Sequence, residues 1–221
     1  MAAKAFFAGT LAALVWASTA VADAPTVRIT TADQAKATQA LLRLKDFGAG
    51  WSGGATKPSP LGAPKCPGFN PKESDLVVTG HAAAHFAWPK GSVTVDQDTQ
   101  VLRTASDVAT DFKRSIGPKL AECLAFELKQ GGKGRVTHVA VETLQLARVG
   151  NMSAAYRAEI SLNINGRTGK FVRDFVFFGI GRLEYSLVLD APTFQTAQLA
   201  PFEQDLATLL VRRAPSGANV A

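Results

Sequence analysis

The apolar positions along this chain follow two periods, and the change from one to the other marks its elements. From Thr31 the spacing is helical: Ala35, Ala37, Ala40, Leu41, Leu42 and Leu44 supply one apolar side, and Thr31 stands three residues before Gln34 in a capping-box spacing. Phe47-Gly48-Ala49-Gly50-Trp51 ends that helix with glycine. Gly53 to Pro71, rich in Gly, Pro, Lys and Ser, predicts a long loop centred on Cys66. Leu76 to Phe86 and Ser92 to Leu102 alternate as strands do, and Trp88-Pro89-Lys90-Gly91 between them makes a hairpin. Ser106 caps a second helix bearing Val108, Phe112, Ile116, Leu120, Leu124 and Leu128, which Gly117-Pro118 should kink or split. Four β-like runs follow: Arg135 to Ala147, Ser153 to Asn163, Thr168 to Phe178 and Leu183 to Asp190. Their turns carry Gly150-Asn151, Asn165-Gly166 and Gly179-Ile180-Gly181. A last helix runs from Phe202 to Arg213 behind Pro201.

The predicted order is thus α-β-β-α-β-β-β-β-α. Short turns make consecutive strands antiparallel, giving an α+β fold with a sheet of about six strands and helices packed on it. Alternation along the strands predicts one apolar face for the helices and one mixed face left open. His81, Arg157, Glu159 and Glu184 fall on the mixed set and form a candidate ligand face, with a merely solvated sheet surface as the alternative. Phe171, Phe175 and Phe177 share a face, where Leu183, Tyr185, Leu187 and Leu189 of the next strand should meet them as core.

Composition adds the compartment. Lys4 precedes an uncharged, alanine-rich stretch ending in Ala20-Val21-Ala22, the pattern of a secretory signal cleaved after Ala22; an uncleaved anchor is the alternative. Residues 1–22 are therefore read as a signal peptide, 23–214 as one domain and 215–221 as a disordered tail. The hydrophobic fraction of 47% against 19% charged argues for a packed core, and the net charge of +6 is scattered without a dense basic run. Cys66 and Cys123 should pair as a disulfide in an oxidising compartment, with two buried thiols as the alternative.

Particular residues carry a resemblance. The stretch Ala40-Leu41-Leu42-Arg43-Leu44-Lys45-Asp46-Phe47-Gly48-Ala49-Gly50-Trp51, the strand opening Asp75-Leu76-Val77-Val78-Thr79-Gly80, and the placement of Cys66 and Cys123 resemble small exported actinobacterial proteins. These are similar in layout to the PsbP-like fold, which includes secreted lipoproteins and domains compared with kinase extracellular sensors. The resemblance implies a binding or sensing module and brings no catalytic residue with it. The chain lacks the lipobox of the lipoprotein members.

Signatures of chemistry are sparse. His81 and His85 lie four apart on a strand, about 13 Å, too far to share one ion, and His138 with Glu142 repeats the pattern. Gly131-Gly132-Lys133-Gly134 follows a helix and precedes a strand, the reverse of a phosphate cradle. No nucleophile elbow occurs. Asn151-Met152-Ser153 fits a glycosylation sequon by chance. The expectation is a secreted, monomeric binding or sensing module of the cell envelope, with an envelope ligand or protein as partner. No cofactor, metal, nucleic acid or membrane span after signal removal is expected. The alternatives are a secreted hydrolytic enzyme with a dispersed site and a purely structural envelope protein.

Overall fold

A computed structural model of the chain describes residues 23–131, 135–164 and 166–214. The expected signal segment with its Ala22 cleavage site, Gly132-Lys133-Gly134, Asn165 and the tail 215–221 lie outside the described residues. Eight strands form one sheet, antiparallel but for its first, two-residue strand. They are β1 (Thr26–Val27), β2 (Ser52–Thr56), β3 (Val77–Trp88), β4 (Val93–Leu102), β5 (Val136–Thr143), β6 (Met152–Ile164), β7 (Arg167–Ile180) and β8 (Leu183–Pro192). Four α-helices accompany them: α1 (Thr31–Gln39), α2 (Ala105–Ser115), α3 (Pro118–Gly131) and α4 (Thr196–Arg213). The path across the sheet is β1-β3-β4-β8-β7-β6-β5, with β2 also on β3.

The α+β class holds, and six strands become eight. The two extra ones line the outer edge of β3. There β1 runs parallel at Val77 and Val78, and β2 runs antiparallel from Ala83 to Ala87. Between them the Gln34 amide stands in for a strand, accepting from the His81 N–H and donating to the His81 carbonyl. Edge strands expose unpaired backbone groups, and this one is covered by pieces too short to show a period. Ser52–Thr56, expected as loop, pairs because Gly53 allows a close approach: a Cβ there would sit 2.1 Å from the His85 carbonyl oxygen.

Helix boundaries shift for local reasons. Thr30, not Thr31, caps α1, its hydroxyl accepting from the Asp33 N–H, and Thr104, not Ser106, caps α2 in the same way. The first helix stops at Gln39, eight residues before the glycine run. Gln97, 2% exposed, accepts from the Leu42 N–H and donates to the Ala40 carbonyl. The break lets Leu41 and Leu42 reach the core. Gly117-Pro118 splits the second helix as expected. The last helix starts at Thr196 and holds Pro201 inside it, because buried Leu199 anchors its opening turns.

Helices cover both faces of the sheet. On one, α1 and α4 pack over Ala82, Ala84 and Phe86 of β3, Val95 of β4, Val176 and Phe178 of β7, and Tyr185 and Leu187 of β8. On the other, α3 and the loop carrying Cys66 and Phe69 cover Tyr156, Ala158, Ile160 and Phe175. The expected pairing of phenylalanines is thereby corrected. Register sets Phe178 opposite Tyr185, their rings stacked 4.6 Å apart, and Val176 opposite Leu187, whereas Phe177 faces Ser186 and Phe175 faces Val188. Phe171, Phe175 and Phe177 serve the second core, and the alternate set of β7 serves the first. Directly paired residues share a face, so a strand buried on both sides defeats a one-face reading.

Cys66 and Cys123 are joined, their Cα atoms 5.4 Å apart, which pins the loop to α3. Gly80 sets how closely α1 lies on the sheet, since a Cβ there would meet the Asp33 carbonyl oxygen at 2.3 Å and its carbon at 2.5 Å. Gly80→Ala should lower stability in urea melts by about 2–3 kcal/mol, because the obstacle is backbone and cannot rotate away. An unchanged midpoint would show that α1 can lift at no cost.

Candidate functional site

A cleft of about 410 Å³ opens where β3 turns into β4, on the α1/α4 side of the sheet. Its walls are Trp51, from the loop before β2, Trp88, the last residue of β3, and Phe202 of α4. Gln195 and Gln198 stand at its rim with Val93 and Leu199, and no charged side chain lines it.

Each wall is held by an identifiable contact. Phe47 backs the walls, its ring centroid 4.7 Å from Trp51 and 4.4 Å from Phe86. Trp51 then lies 5.8 Å from Phe202. The loop bearing Phe47 and Trp51 is tied to the end of α4 by Arg213, whose guanidinium donates to both oxygens of Asp46 and to the Leu41 carbonyl. That guanidinium, ahead of the opposing cost of burial, holds the Asp46 carboxyl below the usual carboxylate range. Gly50 has φ +92°, and a Cβ there would stand 3.1 Å from Trp88 Nε1, so glycine allows the second indole to lie against this loop.

The aromatic walls present polar groups with nothing to bond. Among the described residues, neither indole N–H and neither glutamine amide makes a hydrogen bond within the protein. The two tryptophans of the described residues are both in the cleft; the third, Trp16, belongs to the expected signal segment.

The sequence-derived ligand face does not assemble. Arg157 and Glu159 lie on the α1/α4 side, since Arg157 is opposite Asp174 and Asp174 opposite Leu189. His81 and Glu184 lie on the other side, joined through Gln100. Arg157 gives two hydrogen bonds to fully buried Asp174, and Glu159 is exposed. His81 pairs with Asp98 at 2.8 Å, and His85 pairs separately with Asp96 at 2.7 Å. Among the described residues no group of three or more His, Cys, Asp or Glu is arranged to hold a metal ion.

The buried acids are not among the residues that line the cleft. Glu203 of α4 is fully buried beside Asp174, and burial first, then Asp174, push its carboxyl far up. Burial and the neighbouring Asp111 of α2 likewise raise Glu184. Glu73, 4% exposed, accepts from the Ala63 N–H and is pushed up to about 7 by burial, with the Asp111 charge adding to it.

Sequence reasoning missed the cleft, reading Trp51 as a helix stop, Trp88 as a turn and Phe202 as a helix start. The available signal was two tryptophans placed at turns.

The fold and cleft define an α+β protein with a two-sided sheet and an open, uncharged aromatic site at one sheet end. No family model, no curated protein and no solved structure matches the chain.

Proposed function

We propose that this protein is an exported binding module of the cell envelope, and that the Trp51–Trp88–Phe202 cleft is its binding site. One observation carries the reading: the open concave surface is lined by uncharged side chains, and the buried acids with raised pKa, Glu184 and Glu203, are not among them. An enzyme needs its shifted acid or base within reach of the substrate, whereas a binding site needs apolar walls and a few polar groups to orient a ligand. Export agrees with the Cys66–Cys123 disulfide, with the alanine-rich N-terminus, and with the lack of any helix among the described residues long and apolar enough to cross a membrane. The likeness in layout to PsbP-like sensor modules belongs to the same proposal.

The test uses the two cleft tryptophans as reporters. Protein lacking residues 1–22 is titrated with N-phenyl-1-naphthylamine, a neutral aromatic probe, and energy transfer from tryptophan is recorded. Saturable transfer should fall at least tenfold in affinity in Trp88→Ala and stay unchanged in Glu159→Lys, which alters only the exposed sheet face. Probe binding indifferent to Trp88→Ala and Phe202→Ala would remove the cleft from consideration.

A further inference from the structure

We infer that the cleft takes a neutral saccharide, one or two pyranose rings of an envelope glycan, an inference that rests on the binding-site reading above. Its walls discriminate among ligand classes. An anion would find no Lys, Arg or His on the lining, and a cation would find no Asp or Glu. That leaves uncharged ligands, because a charge moved onto a wall with no partner loses hydration and gains nothing.

Among uncharged ligands the polar rim decides. Two amide side chains, Gln195 and Gln198, stand among the aromatic surfaces. An alkyl chain would press methylenes against these amides and strip their water without replacing it, which is costly. An acyl chain also gains most when wrapped on all sides, and this cleft is open to solvent along its length.

A pyranose fits both features. One ring face presents a patch of C–H bonds that can lie on an indole, whose π face carries partial negative charge. The ring edge carries hydroxyls that both donate and accept, as Gln195 and Gln198 require, and the outer face stays in water. Trp51 and Trp88 come from separate segments but border one cleft with Phe202, so adjacent rings of a chain can each find a wall. A nucleotide would also stack, but its phosphates would meet no cation.

The experiment is a competition series on the probe assay, using cellotriose, mannotriose and tri-N-acetylchitotriose, with 1-decanol and adenosine as the other arms. At least one trisaccharide should displace the probe with a dissociation constant of about 0.1–1 mM, as expected for stacking plus a few solvated hydrogen bonds. Gln198→Ala should weaken that saccharide about 3- to 10-fold, while Glu159→Lys, which does not line the cleft, should leave both saccharide and probe binding unchanged. Trp88→Ala should abolish saccharide binding, with circular dichroism confirming a folded protein. If decanol or adenosine displaces the probe and no trisaccharide does, the saccharide inference is wrong and the cleft remains a binding site. If the probe itself ignores Trp88→Ala and Phe202→Ala, both readings fall together.

Discussion

Reduction of the Cys66–Cys123 bridge should lower the unfolding free energy by about 4 kcal/mol, the entropy released when a loop of 57 residues is opened in the unfolded chain. For a chain of this size that corresponds to a fall in melting temperature of roughly 8–16 °C. The bridge ties the loop from β2 to β3 onto α3, and beside it Phe69, 6% exposed, helps close the second core. The fold should therefore loosen first on the α3 side of the sheet. Paired melts of oxidised and reduced protein test this, with the Cys66→Ser/Cys123→Ser double variant as a check on reductant effects. A difference below about 3 °C would mean that packing alone holds the loop. Cleft tryptophan emission should change only at the global transition, since the cleft belongs to the opposite core.

The second large effect is on pH. Glu73 holds its proton in the folded protein up to about 7, against 4.5 unperturbed. An acid whose pKa is raised by folding stabilises the fold below its unfolded pKa, and that stability is lost as pH climbs through the folded value. Glu73 alone should remove about 3 kcal/mol between pH 4.5 and 8. Glu203, raised further by burial beside Asp174, extends the loss at higher pH. Asp33 and Asp46 act in the opposite sense. At Asp33 burial is the largest single influence, but hydrogen bonds from Arg182, Lys36 and Thr79 together outweigh it; at Asp46 the Arg213 hydrogen bond does so by itself, so both carboxyls sit below 3.8 and their contribution disappears in acid. Stability should therefore peak near pH 4–5, not at neutrality. Glu73→Gln keeps an acceptor for the Ala63 N–H and removes the ionisation. It should gain about 2–3 kcal/mol at pH 8, gain little at pH 4.5, and flatten the profile between. A parallel profile for the variant would show that Glu73 is solvated in the folded protein.

The same buried acids bear on choosing between binding and catalysis. Asp174, Arg157 and Glu203 lie together under α4: Arg157 donates to Asp174, and Glu203 neighbours the same carboxylate with both of its oxygens buried and without a hydrogen-bond partner. Such a unit holds α4 in register on the sheet. None of the three lines the cleft, and the unit accordingly belongs to the packing of the fold.

The local pattern was sufficient wherever an element's own residues determine it. The β3–β4 hairpin follows from alternation around Trp88-Pro89-Lys90-Gly91, the α2/α3 break from Gly117-Pro118, and the succession β6, β7, β8 from runs separated by glycine turns. The disulfide was legible because two cysteines behind a stretch that reads as a secretory signal have few other uses. Tertiary structure alone decided the rest. The end of α1 is set by the amide of Gln97, 57 residues beyond the carbonyl it binds, and no feature between Gln39 and Leu42 announces it. β1 and β2 exist because the edge of β3 needs backbone partners, a demand made by another part of the chain. The phenylalanines of β7 changed sides because register, a property of two strands together, assigns faces. His81, Arg157, Glu159 and Glu184 were separated for that same reason. The cleft is the extreme case: Trp51, Trp88 and Phe202 lie on three segments with no common period, and their chemistry exists only where the fold brings those segments together.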